Sequence, residues 1–268
     1  MDLAIVYMVA GMSSRFGGKI KQFAKVGPQG ETLIGHSLNQ ALLAGFTKIV
    51  FIVGEKTEVP FKEMFGDEYN GVPVHYVFQS FDPLKRDRPW GTTDALCTIK
   101  GTVDCDFVIC NGDDIYGVDA FKLLTDHLRE NATSATIGYK VKNALSETGG
   151  VNRGKFEVNP DQTVSSIREV FDIQKSNLKE KELTEESLCS MNIWAFKSKV
   201  IDLLSDNLNQ FKVEHDSERD AECLLPDEIG SLIKAKKMMV SIYPTDDECI
   251  GVTSPDDEAR VREKISQQ

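Results

Sequence analysis

The sequence lacks any apolar run long enough to cross a bilayer, which excludes a helical membrane span. Its 268 residues include only four histidines, and no two of them stand at metal-ligand spacing. Six cysteines occur without a Cys-x-x-Cys pair, and most sit in apolar settings such as Phe107-Val108-Ile109-Cys110. Buried, reduced thiols in a cytoplasmic protein are therefore expected, and Met1-Asp2 does not begin a signal peptide. Positive charge is scarce, with 31 Lys and Arg against 42 Asp and Glu, for a net charge of −11. That balance argues against nucleic acid or an anionic membrane as the main partner. It also means that any polyanionic ligand is held by local cations against the overall field. There is no internal repeat and no low-complexity segment.

At 41% hydrophobic, a chain of this length can bury a full core, and one domain over residues 1–268 is expected. Strands are predicted over residues 3–8, 48–53, 74–78 and 106–110, with helices between them over 33–44, 59–65 and 93–99. That alternation predicts an α/β fold with a mainly parallel, doubly wound sheet flanked by helices. The second half is richer in strands, at 135–141, 154–158, 164–170 and 188–196, and forms a smaller β region. Helices at 199–208 and 221–235, a strand at 238–243 and a helix at 255–265 follow. Residues 176–187, rich in Glu and Lys, read as an exposed excursion or flap.

Residues 8–25 carry the densest chemical signal. Directly after the first strand come Ala10, Gly11, Met12, Ser13, Ser14 and Arg15, then Lys21 and Lys25. Small residues after a strand expose backbone N–H groups that can cradle phosphates, and the cations add the charge a triphosphate needs. The dinucleotide fingerprint fails because its third glycine position holds Phe16. The P-loop fails because Ser13 replaces its first glycine and Ile20 replaces its Mg²⁺-binding hydroxyl.

Other clusters fall near predicted strand ends, where open sheets bind ligands. Asn111-Gly112-Asp113-Asp114 places two carboxylates after a buried strand, an arrangement that Mg²⁺ on a phosphate would stabilise; it is also good turn chemistry. Gln79 ends a strand, where its amide can read a base edge, and Gly91-Thr92-Thr93 opens a helix. A plain Thr-capped helix explains the latter as well. Lys85-Arg86-Asp87-Arg88 is a solvated loop or a cover over phosphates. Residues 148–154, with Gly149 and Gly150, suit a hairpin turn.

The run Ala10-Gly11-Met12-Ser13-Ser14-Arg15, then Lys21-Gln22, then Thr32-Leu33-Ile34-Gly35-His36, resembles the signature of the sugar-1-phosphate nucleotidyltransferases. Gly91-Thr92-Thr93-Asp94-Ala95-Leu96 and Gly112-Asp113 resemble further motifs of that family, and the likeness spans nearly the whole chain. It implies a Rossmann-like, GT-A-like sheet, with residues 1–117 as nucleotide-binding half and 118–268 as acceptor-binding half. It implies catalytic roles for Arg15, on the leaving pyrophosphate, and Lys21, between the α-phosphate and the acceptor phosphate. Ala10, Gly11, Met12, Ser13, Ser14, Gln79, Gly91 and Thr92 would bind the nucleotide. Asn111, Gly150, Glu169 and Asn192 would bind the acceptor, and Asp113 would hold Mg²⁺.

The likeness weakens on the acceptor side. Val170 stands where the family has a phosphate-binding Lys, leaving Lys175 or Arg168 as candidates for that charge. The family's C-terminal metal Asp is missing before Ile250-Gly251, with Asp247 or Glu248 as candidate substitutes. The implied partners are a nucleoside triphosphate and a phosphorylated small molecule, and a homo-oligomer is left open. Transfer of a nucleoside monophosphate to a sugar-1-phosphate leads the functional readings. A cytidylyltransferase on a phosphorylated non-sugar, a metal-dependent glycosyltransferase and a non-catalytic nucleotide sensor are the alternatives.

Overall fold

The computed structural model of the chain describes residues 1–11, 20–146, 149–251 and 257–266. The candidate residues Met12, Ser13, Ser14 and Arg15 lie outside them.

The first half alternates strand and helix. β1 (Leu3–Met8) leads to α1 (Leu33–Leu42), β2 (Lys48–Val53), α2 (Glu58–Phe65), the short β3 (Glu68–Tyr69), β4 (Val72–Phe78), α3 (Thr92–Cys97) and β5 (Asp106–Asn111). Strands β4, β2, β1 and β5 lie side by side in that order and are parallel. The chain therefore builds outward from β1 to β4 and returns to the opposite edge of β1 with β5. This reversal is the switch point at which open α/β sheets bind ligands. Met8 and Asn111 are register partners there.

Both faces of this region are covered, so β1 is apolar almost throughout rather than alternating with polar residues. Leu3, Ile5, Tyr7 and Val9 pack under α1, α2 and α4 (Val118–Glu130), against Leu38, Phe61 and Phe121. Ala4 and Val6 face the opposite core, built from Leu96 of α3, Leu204 of α5 (Val200–Glu214) and Ile229 of α6 (Leu225–Lys234).

Beyond β5 the pairing becomes largely antiparallel. After the short β6 (Asp114–Ile115) come β7 (Ser134–Lys140), β8 (Val151–Val158), β9 (Val164–Ile173), β10 (Leu188–Ser190) and β11 (Trp194–Phe196). β11 continues the sheet from β5, and β7, β10, β8 and β9 follow. β12 (Val240–Thr245) runs parallel to β7. Among the described residues this is one sheet of eleven strands. β13 (Ile250–Gly251) pairs with β6, and α7 (Asp257–Ser266) closes a small third core of Val26, Leu33, Ile115, Ile250, Val261 and Ile265.

Two expectations are corrected. The strand foreseen over 188–196 is two strands, because Asn192 adopts a left-handed backbone conformation at φ 60°. Both pieces pair with β7, and on their other edge the first meets β8 and the second β5, so the partner changes at Asn192. Residues 151–154 are not a turn but the start of β8, facing residues 169–173 of β9. Segment 176–187 is largely exposed, as the excursion reading expects, and is anchored by buried Leu178 and Leu183.

Candidate active site

A cleft of about 480 Å³ opens at the carboxyl ends of β1, β4 and β5. Ala10 and Gly11 follow β1 into it, Gln79 follows β4, Asn111 ends β5 and Asp113 follows it; Gly91 and Thr92 enter at the start of α3. Lys21 reaches across the switch point and forms an ion pair with the Asp113 carboxylate, each side chain about one-quarter exposed. A cation from the turn Lys21–Phe23 and an anion just past β5 thus pair where both line the cleft.

Adjacent carboxyls separate onto two sides. Asp113 faces the cleft, whereas Asp114 is buried and accepts from Asn111 Nδ2 at 2.9 Å. Burial and the neighbouring Asp113 charge push the Asp114 carboxyl up to about 6. Asp114 caps no helix, since Gly117 precedes α4. It instead anchors a chain of amides. Asn192 Nδ2 donates to Asn111 Oδ1 at 2.9 Å, and Trp194 Nε1 donates to Asn192 Oδ1 at 3.1 Å. The Tyr116 hydroxyl accepts from the Asn111 N–H and donates to the Met191 carbonyl at 2.8 Å, locking the segment at Asn192 against β5. Each amide orientation is fixed by the next partner in the series.

Gly91 is required twice over. Its φ is 97°, and a Cβ there would stand 2.6 Å from the Cys223 carbonyl oxygen. The close backbone neighbour is thus the 221–224 loop, and no Thr cap forms: the Thr92 hydroxyl accepts from the Leu225 N–H at 2.9 Å. The 85–88 loop is likewise more than solvated. Arg86 is buried, stacked 3.3 Å over the Trp90 ring, and donates to the carbonyls of Glu218 and Ala221. Arg88 lines the cleft and pairs with Glu222.

A second cavity of about 230 Å³ adjoins the first, sharing Thr92 and Asn111 with it. Glu169 and Asn192 line it, as does Gly154; Gly150 is exposed and lines neither cavity. Burial and the nearby Asp227 push the Glu169 carboxyl up to about 7, and Arg153 opposes the shift. Arg153 is the residue that motif reasoning missed. It lines this cavity, its Nε is buried without a partner among the described residues, and it stands directly across the β8–β9 ladder from Val170. Lys175 and Arg168 are instead exposed beside Glu185 and Glu182. Glu248 pairs with Lys264 and lines a separate recess with Asp114, and neither it nor Asp247 lines the cleft.

No cluster of three or more His, Cys, Asp or Glu with metal-binding geometry occurs among the described residues. Asp113 presents a single carboxylate to the cleft, and a hard divalent cation such as Mg²⁺ commonly takes one or two protein carboxylates and completes its shell with water and phosphate oxygens.

Comparison with known proteins defines the class. The family model described as nucleotidyl transferase matches residues 18–233, and the chain belongs to that family. Among individual proteins, the UTP–glucose-1-phosphate uridylyltransferase AglF of Haloferax volcanii is 28% identical over 134 residues, 49% of this chain and 52% of that protein. The match thus spans about half the length of each. A Bacillus anthracis protein described as a glucose-1-phosphate thymidylyltransferase, in complex with a sucrose, superposes with a TM-score of 0.73 at 14% identity, covering 99% of this chain and 96% of its own. A UDP-glucose pyrophosphorylase complexed with UDP-glucose gives 0.69 at 13% identity, covering 100% and 99%. At such identities the two structures establish the fold. No helix among the described residues is long and apolar enough to cross a membrane.

Proposed function

We propose that the protein transfers a nucleoside monophosphate from a nucleoside triphosphate to a sugar-1-phosphate, giving a nucleoside diphosphate sugar and pyrophosphate. The observation that carries this reading is the Lys21–Asp113 pair beside two cavities that share Thr92 and Asn111. Two ligands seated there would meet at that shared wall. The relatives named for uridylyl and thymidylyl transfer to glucose-1-phosphate support the same reading.

In the proposed reaction an acceptor phosphate oxygen forms a bond to the nucleotide α-phosphorus, while the bond to the leaving pyrophosphate oxygen breaks. Such transfer depends on positioning and charge neutralisation. Lys21 lies between the two phosphates and reduces their repulsion. Ala10 and Gly11 border the triphosphate, and Arg15, with Met12, Ser13 and Ser14, is assigned to its β- and γ-phosphates. Asp113 would hold Mg²⁺, which when bound supplies further neutralisation of phosphate charge. Glu169, Asn192 and Asn111 offer acceptors and donors to sugar hydroxyls, and Arg153 meets the acceptor phosphate in place of the cation missing at Val170. Six unpaired thiols suit a reducing, cytoplasmic setting for this chemistry.

The test is pyrophosphate release from a matrix of nucleoside triphosphates and phosphorylated acceptors, sugar and non-sugar, with Mg²⁺. Release with a sugar-1-phosphate is the expected result. Release only with a non-sugar would select the cytidylyltransferase-like alternative, and no release with any pair would remove the transferase reading.

A further inference from the structure

Gln79 is buried on a wall common to the cleft and to an apolar recess of about 250 Å³ bordered by Phe78, Phe81 and Pro89. A flat base has apolar surface to lie against there. Both hydrogens of the Gln79 amide are committed: Nε2 donates to the Gly91 carbonyl at 3.0 Å and to Asp94 Oδ2 at 2.9 Å. Asp94 is itself buried, and its other oxygen accepts from Lys212 Nζ at 2.6 Å. A backbone carbonyl and a carboxylate paired with a lysine can only accept, so the amide cannot turn round without losing both bonds and facing oxygen with oxygen. Oε1 accepts from no described residue and is the one polar atom of this side chain with capacity left for a ligand.

We infer that Asp94, backed by Lys212, is a positioning residue that makes Gln79 a pure acceptor, and that the site therefore selects an imide-type pyrimidine, uracil or thymine, over cytosine. Uracil and thymine carry N–H at ring position 3. Cytosine has a lone pair there, its amino group lying one atom further along the edge. An acceptor facing position 3 bonds the first two bases and opposes the lone pair of the third. A site built for a hydrogen bond rejects an analogue lacking the donor far more strongly than it rejects a change of shape. This selection rests on the nucleotidyl-transfer reading only for its nucleotide, and binding alone can test it.

The experiment measures displacement of a fluorescent nucleotide from the full chain, with Mg²⁺, by UTP, dTTP, CTP and N3-methyl-UTP. UTP and dTTP should bind at least about tenfold more tightly than CTP, and N3-methyl-UTP should fall to the level of CTP. In the charge-neutral double variant Asp94→Leu/Lys212→Met the carboxylate acceptor is gone and only the Gly91 carbonyl still holds the Gln79 amide. The UTP-to-CTP affinity ratio of this variant should drop toward one while its thermal midpoint reports folding. Equal binding of CTP and UTP, full affinity for N3-methyl-UTP, or an unchanged ratio in the folded double variant would each overturn the inference. Should the double variant not fold, the N3-methyl comparison on the unaltered protein decides. Base-selective binding without pyrophosphate release for any acceptor would refute the transferase reading and leave this one standing.

Discussion

The two sides of the proposed active site, one assigned to the nucleotide and one to the acceptor, are built by different means. The nucleotide side is a set of strand ends: β1, β4 and β5 run parallel, stop at one edge, and each delivers its next few residues into the cleft. The acceptor side is a set of strand faces: β8, β9 and the broken β10–β11 run antiparallel and present side chains across their ladders. In the first case each strand end contributes a short contiguous string, and the strings lie far apart in sequence. In the second, partners such as Arg153 and Val170 meet only through register. A strand-end site keeps its motif as a contiguous string, whereas a strand-face site lets a charge move to the opposed position while the cavity keeps its character.

The largest effect should come from breaking the strand-end side. Lys21→Ala and Asp113→Ala should each lower pyrophosphate release by about 100-fold or more, with thermal midpoints near that of the parent. Near-parent turnover in either would remove that residue from the reaction. Next comes the strand-face side. Arg153→Met should raise the KM for the phosphorylated acceptor about tenfold or more, through loss of a charge-assisted contact, and leave the nucleotide KM unchanged. A shift in nucleotide KM instead would place Arg153 in the wrong cavity.

A smaller effect separates the sides by pH. The Glu169 carboxyl is raised from 4.5 to about 7, so the folded state holds its proton more tightly than the unfolded chain does. Its contribution to stability is full below about 4.5 and is lost as pH rises through about 7. Glu169→Gln should therefore gain on the parent in urea unfolding between pH 4.5 and 7, by about 1 kcal/mol after allowing for partial exposure. An equal difference at about pH 5 and about pH 8 would refute the linkage. Glycine replacements set the smallest contrast. Gly91→Ala forces a left-handed alanine against the Cys223 backbone and should cost about 2 kcal/mol. Gly154→Ala meets the flexible end of Ile167 at 2.9 Å and the Pro226 ring at 3.1 Å, with no left-handed strain, and should cost about 1 kcal/mol. Chemical denaturation of both variants would rank them.

Legibility in the sequence followed the same division. β1 and β2 have the bounds that their apolar runs predict, because strands buried on both faces leave no ambiguity of period. The split at Asn192 was hidden, since a single left-handed residue inside Leu188–Phe196 leaves the hydrophobic pattern intact. Placement of Gln79, Asn111 and Asp113 at one edge follows from strand ends that periodicity locates. Arg153 could not be found that way: its position opposite Val170 depends on a register shift between Val151 and Arg153. One signal was present, a lone Arg before Gly154 in a segment otherwise read as a turn. The differing fates of Asp113 and Asp114 were also illegible, because turn chemistry does not say which carboxyl faces inward.

The small core under α7 ties distant parts of the chain together. Val261 and Ile265 pack with Val26 and Leu33, and Arg262 donates to the Lys25 carbonyl at 2.7 Å, across 237 positions. The segment that follows Lys21 is therefore seated by residues synthesised more than two hundred steps later. During translation the Lys25 carbonyl and the Val26–Leu33 patch gain these partners only once α7 has been made. A nascent chain would thus hold β1 to β5 before it holds the helix that packs beside the segment following Lys21.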